Sequence, residues 1–228
     1  MNNPLALAQV ARAFVRLTMD PTRLDEVFKL SDGVAGTEDL RRMIDAARRE
    51  PAGAAALTER YHVHLSLPAL RALPDGTLGR EYARMMDGNG LDPASIPTLP
   101  DASDGEYLRA HLYETHDLWH VVTGFGTDVA GELGLQAFYQ AQLPGKLPVA
   151  ILASGFLNSL LFSFEDRDRR LGEVARGWLL GRRSRGLFGV RWDDFLALPL
   201  EEVRRRLGVD LAAVDGLPRA VQELRAAA

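Results

Sequence analysis

The sequence predicts a mostly α fold, organised as a single helical domain over residues 1–228. Three observations predict it. Apolar residues recur at helical spacing along most of the chain, as in Leu5, Leu7, Val10, Phe14, Val15 and Leu17. Helix start and stop signals punctuate those runs. Extended character is confined to two short stretches, residues 61–65 and 187–192. Bulk properties agree. Of 228 residues, 46% are hydrophobic and 25% charged, which describes a globular chain and excludes a disordered tail or a fibre.

The elements follow in order. Residues 4–19 read as an amphipathic helix. Asp20 before Pro21 reads as an N-cap followed by proline at the first helical position. Thr37, with Glu38 and Asp39 behind it, starts another helix, whose stripe is Leu40, Met43, Ile44 and Ala47 and which stops before Pro51. Residues 67–101 are rich in Pro, Gly, Asp and Asn and predict loops around short pieces, with a turn at 73–77 and a short helix over 79–86. Long helices are predicted over 104–123, 127–143 and 148–164, and shorter ones over 171–180 and 200–207.

Charge and composition exclude several function classes. Net charge is −4, from 27 basic and 31 acidic residues, without the basic excess of a nucleic-acid binder. There is no cysteine, so disulfides, zinc fingers and thiol catalysis are excluded, and any metal site must draw on His, Asp and Glu. Arg12 and Arg16 interrupt the first apolar run and no small-residue cleavage site follows, which excludes a secretory signal reading.

The informative stretch is His116-Asp117-Leu118-Trp119-His120, with Glu132 after a gap. On a helix these three polar side chains span an arc of about 100°, so all can reach one ion. On one unbroken helix Glu132 would point roughly 160° away from His116. Gly124 and Gly126 lie between, and Thr127 or Asp128 can cap a new helix, so the sequence supplies a break where Glu132 needs one. Two imidazoles and two carboxylates suit Zn, and Fe, Co or Mn also fit; spacing does not choose among them. A polar helix face without a metal is the plain alternative. A zinc protease fits poorly, because Asp117 stands where its general-base Glu would be and no His follows His120.

Two further stretches stand out. Residues 147–164 carry no charge and touch the lower length limit of a membrane span. Pro148 and the pairs Ser154/Asn158 and Ser159/Ser163 argue against a span and draw a polar stripe. The segment is either a core helix or one wall of an apolar cavity for a long hydrocarbon, with Ser154, Asn158 and Phe162 as candidate lipid contacts. Arg182, Arg183 and Arg185, with Trp178, Leu187, Phe188, Arg191 and Trp192 nearby, suit an anionic lipid surface or a phosphate head group, or form a solvated face. His62 and His64 have no acidic neighbour in sequence and read as structural.

These motifs resemble the ubiquinone (coenzyme Q) biosynthesis protein COQ-four family. Its signature, His-Asp-x-x-His followed by eleven residues and Glu, is matched by His116, Asp117, His120 and Glu132. Leu73 to Tyr82, Gly131-Glu132, Gly181-Arg182-Arg183, Arg191-Trp192 and Leu207-Gly208-Val209 also agree, and the likeness runs from about Pro4 to Val214. The resemblance implies a helical, homodimeric protein with an apolar lipid-binding cavity for isoprenoid-tailed compounds. It implies peripheral membrane association, other ubiquinone biosynthesis enzymes as partners, and a divalent metal, usually zinc, on the four motif positions. The implied activity is a carbon–carbon lyase reaction, the simple or oxidative decarboxylation at ring carbon 1 of 4-hydroxy-3-methoxy-5-polyprenylbenzoate. The alternative is a non-catalytic isoprenoid-binding scaffold that organises the pathway enzymes. Eukaryotic members carry arginines shortly before the motif, where this chain has His111 and Tyr113. Because the likeness begins close to Met1, with no room for a mitochondrial presequence, the expected location is the bacterial cytoplasm, peripheral to the inner membrane.

Overall fold

The computed structural model describes residues 4–34, 37–95 and 99–215. Those residues are mostly α-helical, as expected. In chain order the helices are α1 (Pro4–Met19), α2 (Leu24–Val34), α3 (Thr37–Ala47), α4 (Pro51–Glu59), α5 (Leu67–Arg71), α6 (Leu78–Asn89), α7 (Asp104–Thr123), α8 (Val129–Gln142), α9 (Lys146–Phe162), α10 (Arg167–Arg183), α11 (Leu200–Leu207) and α12 (Ala212–Asp215). The β structure of the described residues is one isolated bridge, Thr77 to Pro199. The chain forms two compact units, residues 1–43, 125–182 and 212–228 in one, 44–124 and 183–211 in the other.

In the first unit α1 packs against α2 and α9, and α9 against α8. Its core gathers Ala13, Leu17 and Leu30, with Val10, Phe14, Val27, Leu147, Ala150 and Ile151 around them. The buried Glu26 carboxylate accepts from Arg16 at 2.9 Å and Lys29 at 3.2 Å, so the α1–α2 pair keeps its inward acid paired. The buried Asp39 carboxylate accepts from the backbone N–H of Lys146 at 3.1 Å, placing negative charge at the start of α9. α8 and α10 touch backbone to backbone: a Cβ on Gly177 would run into the carbonyl of Gly134.

α9 turns its polar stripe inward. Ser154, Asn158 and Ser159 are buried, whereas Leu160, Leu161 and Phe162 are 64%, 57% and 60% exposed. The buried stripe is bonded throughout. The Asn158 amide donates to Thr18 O at 2.8 Å, and the Thr18 hydroxyl donates to Ser154 Oγ at 3.2 Å. From α10, the buried Arg170 donates to Asn158 Oδ1 at 2.8 Å, Gly155 O at 3.2 Å and Asp166 Oδ2 at 2.9 Å. Burying polar groups unpaired is costly, and here the pairing fixes which face of α9 looks inward. None of the described helices is long and apolar enough to cross a membrane.

The second unit buries Trp119, Trp192, Tyr82, Tyr107, Leu78 and Met86 completely. α7, its longest helix, starts with a capping box: Ser103 Oγ accepts from Glu106 N at 3.3 Å, and Glu106 Oε2 accepts from Ser103 N at 2.8 Å. α6 is capped by Thr77 and pinned by Leu78 N–H to Leu198 O (2.9 Å) and Gly79 N–H to Leu196 O (2.8 Å).

Several local expectations are corrected. Asp20 does not cap α2, which begins at Leu24; its carboxylate instead accepts from Thr22 N and Thr22 Oγ1, closing a local turn that competes with helix. Residues 61–65 and 187–192 are not strands. Side chains satisfy their backbone in place of a ladder: Trp192 N–H donates to Tyr61 Oη at 2.6 Å, Tyr107 Oη to Tyr61 O at 2.7 Å, and Gly189 N–H to His111 Nε2 at 3.3 Å. Within 67–101, α6 covers the short helix expected over 79–86 and extends past it to Asn89, and α5 forms where loop was expected. Leu187, Phe188 and Trp192, read beside the basic run as a lipid-facing group, are buried in the core.

Candidate metal centre

α7 carries the three motif residues in its last two turns, and both ends of the helix are fixed. At the C-terminus Gly124 takes the left-handed conformation (φ 72°) and its N–H donates to His120 O at 2.8 Å. Arg204 of α11 donates to the carbonyls of Val121 (3.0 Å) and Val122 (2.9 Å), which the helix leaves unpaired. Leu118, Trp119 and Val122 are wholly buried. The opposite face therefore presents His116 and Asp117, half-buried, and His120, buried.

One ligand atom from each of His116, Asp117 and His120 lies within 4.8 Å of the others. The two imidazole rings stand perpendicular, and their Nε2 atoms are 3.2 Å apart. Two imidazole nitrogens bound tetrahedrally to Zn²⁺ at ~2.0–2.1 Å would be separated by about 3.3–3.4 Å. The pair already has the spacing of two ligands on one ion, and Asp117 supplies charge compensation beside them. These residues fit a divalent metal.

The structure brings those three together on one helix. Glu132 stands in the first turn of α8, in the first unit, after the break the sequence signalled; Asp128 caps that helix by accepting from Gly131 N at 2.9 Å. Of the candidate lipid contacts, Ser154 and Asn158 have their polar atoms engaged inside the fold, and Phe162 faces outward. Two clefts open on the second unit, of about 350 Å³ beside Pro51, Tyr61 and Val190 and about 680 Å³ beside His62, Leu65, Pro68 and Glu114; neither is lined by Ser154, Asn158 or Phe162.

Two features escaped the sequence. His62 has acidic partners after all: Nδ1 lies 2.9 Å from Glu114 Oε2 and Nε2 lies 3.0 Å from Asp101 Oδ2. Burial works to lower its pKa, but the two carboxylate contacts outweigh it and raise the pKa overall. Glu114 also takes His111 Nδ1 at 2.8 Å. Because Gly189 N–H can only donate, His111 Nε2 is the acceptor, and its proton sits on Nδ1 toward Glu114. His111 is thus part of the buried framework. The second feature is Tyr82, wholly buried and under the electrostatic influence of Asp117. It ends the Leu73–Tyr82 stretch that carried part of the resemblance.

A family model described as coenzyme Q (ubiquinone) biosynthesis protein Coq4 matches residues 4–213. The chain belongs to the Coq4 family. It is therefore a ubiquinone biosynthesis protein by family. Among Coq4 relatives, the chain is 32% identical over 206 residues to the ubiquinone biosynthesis protein COQ4 homolog, mitochondrial, of Xenopus laevis, covering 87% of this chain and 71% of that one. It is 30% identical over 200 residues to the ubiquinone biosynthesis protein coq4, mitochondrial, of Aspergillus fumigatus, covering 84% and 68%. The fold is similar to the crystal structure of a protein assigned to ubiquinone biosynthesis from Nostoc punctiforme, with a TM-score of 0.78 and 31% identity over 90% of this chain and 98% of that one. The Coq4 relatives overturn one expectation. A bacterial cytoplasmic location does not stand, because these relatives are named mitochondrial and the nearness of the likeness to Met1 says nothing of a leader.

Proposed function

We propose that this protein is a metal-dependent carbon–carbon lyase of ubiquinone biosynthesis. It removes the ring carboxyl of 4-hydroxy-3-methoxy-5-polyprenylbenzoate, by simple or oxidative decarboxylation. The observation that carries the reading is the 3.2 Å approach of His116 Nε2 and His120 Nε2 with Asp117 beside them. Zinc is the first choice, and Fe²⁺, Co²⁺ and Mn²⁺ suit the same donors. Glu132 stays in the ligand set on its sequence spacing alone. A divalent ion bound there would neutralise the substrate carboxylate or phenolate and favour negative charge developing on the ring. The residues do the rest. His116 and His120 offer neutral nitrogens, Asp117 or Glu132 moves a proton, and the buried Leu118, Trp119 and Val122 keep water from the back of the helix.

The outward face of α9, with Leu157, Leu160, Leu161 and Phe162, supports contact with an isoprenoid lipid at a membrane surface. That face also favours a second reading, a non-catalytic scaffold presenting such a lipid to partner enzymes or to a second copy of the chain. The test is metal analysis of the purified protein, followed by decarboxylation of a polyprenylated hydroxybenzoate before and after chelation. Stoichiometric metal with chelator-sensitive release of carbon dioxide is the expected result. Lipid binding with neither metal nor turnover would replace the lyase reading by the scaffold.

A further inference from the structure

His62 is held between two carboxylates. Its Nδ1 lies 2.9 Å from Glu114 Oε2 on α7, and its Nε2 lies 3.0 Å from Asp101 Oδ2, in the segment leading into that helix. A neutral imidazole carries one N–H and an ionised carboxylate only accepts, so the ring bonds both acids only as the imidazolium. The two acids are not equivalent. The Glu114 side chain is 22% exposed and also takes His111 Nδ1, whereas that of Asp101 is 49% exposed and can turn to water. Both His62 and Glu114 line the cleft of about 680 Å³, and so does Leu99, two residues before Asp101. His62 thus ties together two stretches that line one cleft. Other charges pack around it. Arg60 donates to Asp101 O at 2.5 Å and to Asp104 Oδ1 at 3.0 Å, and Arg71 and Asp92 line the same cleft. Tyr107 meets the His62 ring edge-on at 5.6 Å; burial pushes its pKa and that of Tyr61 up, so both stay neutral phenols.

We propose that His62 is a proton-operated clasp on this cleft: charged, it holds Asp101 and Glu114 together, and neutral, it keeps Glu114, releases Asp101 and loosens the Leu99 side of the cleft. Burial decides which acid is released, since an unpaired carboxylate is tolerated in water and penalised inside. Arg60 grips the backbone at Asp101 in both states, so release loosens the segment without unfolding it. Burial acts to lower the His62 pKa, and the bonds to Glu114 and Asp101 outweigh it. The clasp is therefore closed below the raised value and opens as pH climbs through it, so the cleft is tighter in acid than in alkali. This inference does not depend on the metal reading.

The chain has no cysteine, so Ala102→Cys places a single nitroxide label on an exposed residue beside Asp101. The full-length labelled protein is followed by its electron spin resonance line shape from about pH 5 to 9. The ratio of mobile to immobilised label should rise roughly two- to fivefold, the range of a part-exposed ion pair, with a midpoint above the ordinary histidine value of about 6.5. Added His62→Gln should remove the step and leave the label mobile throughout. Added Asp101→Asn should remove the step as well, and it decides alone if His62→Gln does not fold. His64→Gln is the control: that side chain, two residues on, is 88% exposed, and the step should stay. Ring ¹⁵N shifts should show both His62 nitrogens protonated below the midpoint. A ratio that does not change with pH would overturn the proposal. So would a step that survives His62→Gln or Asp101→Asn, or one that vanishes in His64→Gln.

Discussion

Replacing Arg204 with Met tests how firmly the last turn of α7 is held. Met keeps the aliphatic stem and removes the guanidinium. In the native protein that group serves Val122 O at 2.9 Å and Val121 O at 3.0 Å, and reaches Glu201 at 2.6 Å. The Glu201 pair contributes little, because Glu201 is 83% exposed. The carbonyl bonds are different, since the Arg204 side chain is only 15% exposed and water replaces it poorly. A hydrogen bond from a charged donor contributes about 1.5–3 kcal/mol. A cation at a partly buried helix C-terminus contributes up to about 2 kcal/mol. One charge supplies both effects, so they overlap more than they add, and Arg204→Met should cost about 2–3 kcal/mol. For a chain of this size that lowers the melting midpoint by roughly 4–12 °C. Arg205→Met is the control: Arg205 sits on the same helix, is 72% exposed and its guanidinium, among the described residues, bonds Glu202, so its midpoint should not move. Calorimetry of both variants measures the difference, and a zinc titration of each reports on His120, which lies in the turn that Arg204 caps. Equal midpoints for the two variants would refute the reasoning.

Other expectations follow from the same geometry. His62, with its raised pKa, contributes stability that is fully present below the unfolded value of about 6.5 and is lost as pH rises through the folded value; histidine NMR and urea midpoints against pH measure this, and a His62 titrating at or below the unfolded value would contradict it. Glu132→Ala should weaken zinc binding while leaving the helical circular dichroism intact; unchanged zinc affinity would remove Glu132 from the ligand set. Leu160→Asp with Leu161→Asp should abolish co-flotation with anionic vesicles without lowering the melting midpoint, since both side chains are exposed; undiminished flotation would rule out that face of α9.

The parts legible in the sequence were those governed by local rules. α1, α7 and α11 run over the residues their periodicity marks, and the glycine break with its Asp128 cap lies where the motif needs it. The placement of His116, Asp117 and His120 on one face follows from helical spacing alone. What failed depended on distant partners. The polar stripe of α9 was visible, but its inward direction is set by Thr18 and Arg170. His62 looked unaccompanied because Asp101 and Glu114 lie 39 and 52 residues away. Extended-looking residues 61–65 and 187–192 find side chains, not a neighbouring strand, to satisfy their backbone. Tyr82 gave no signal of its own, since a tyrosine on an amphipathic helix reads as ordinary core.

The backbone contact between α8 and α10 inverts the usual logic of an alanine scan. Alanine is the most benign helical residue, yet at Gly177 its methyl has nowhere to go except through the carbonyl of Gly134. At Gly172, one and a half turns earlier on the same helix, the added methyl meets nothing within 4 Å, and the substitution should stabilise by about 0.5–1 kcal/mol. Glycine-to-alanine changes along α10 therefore act as a feeler gauge, reading the clearance between the two helices residue by residue.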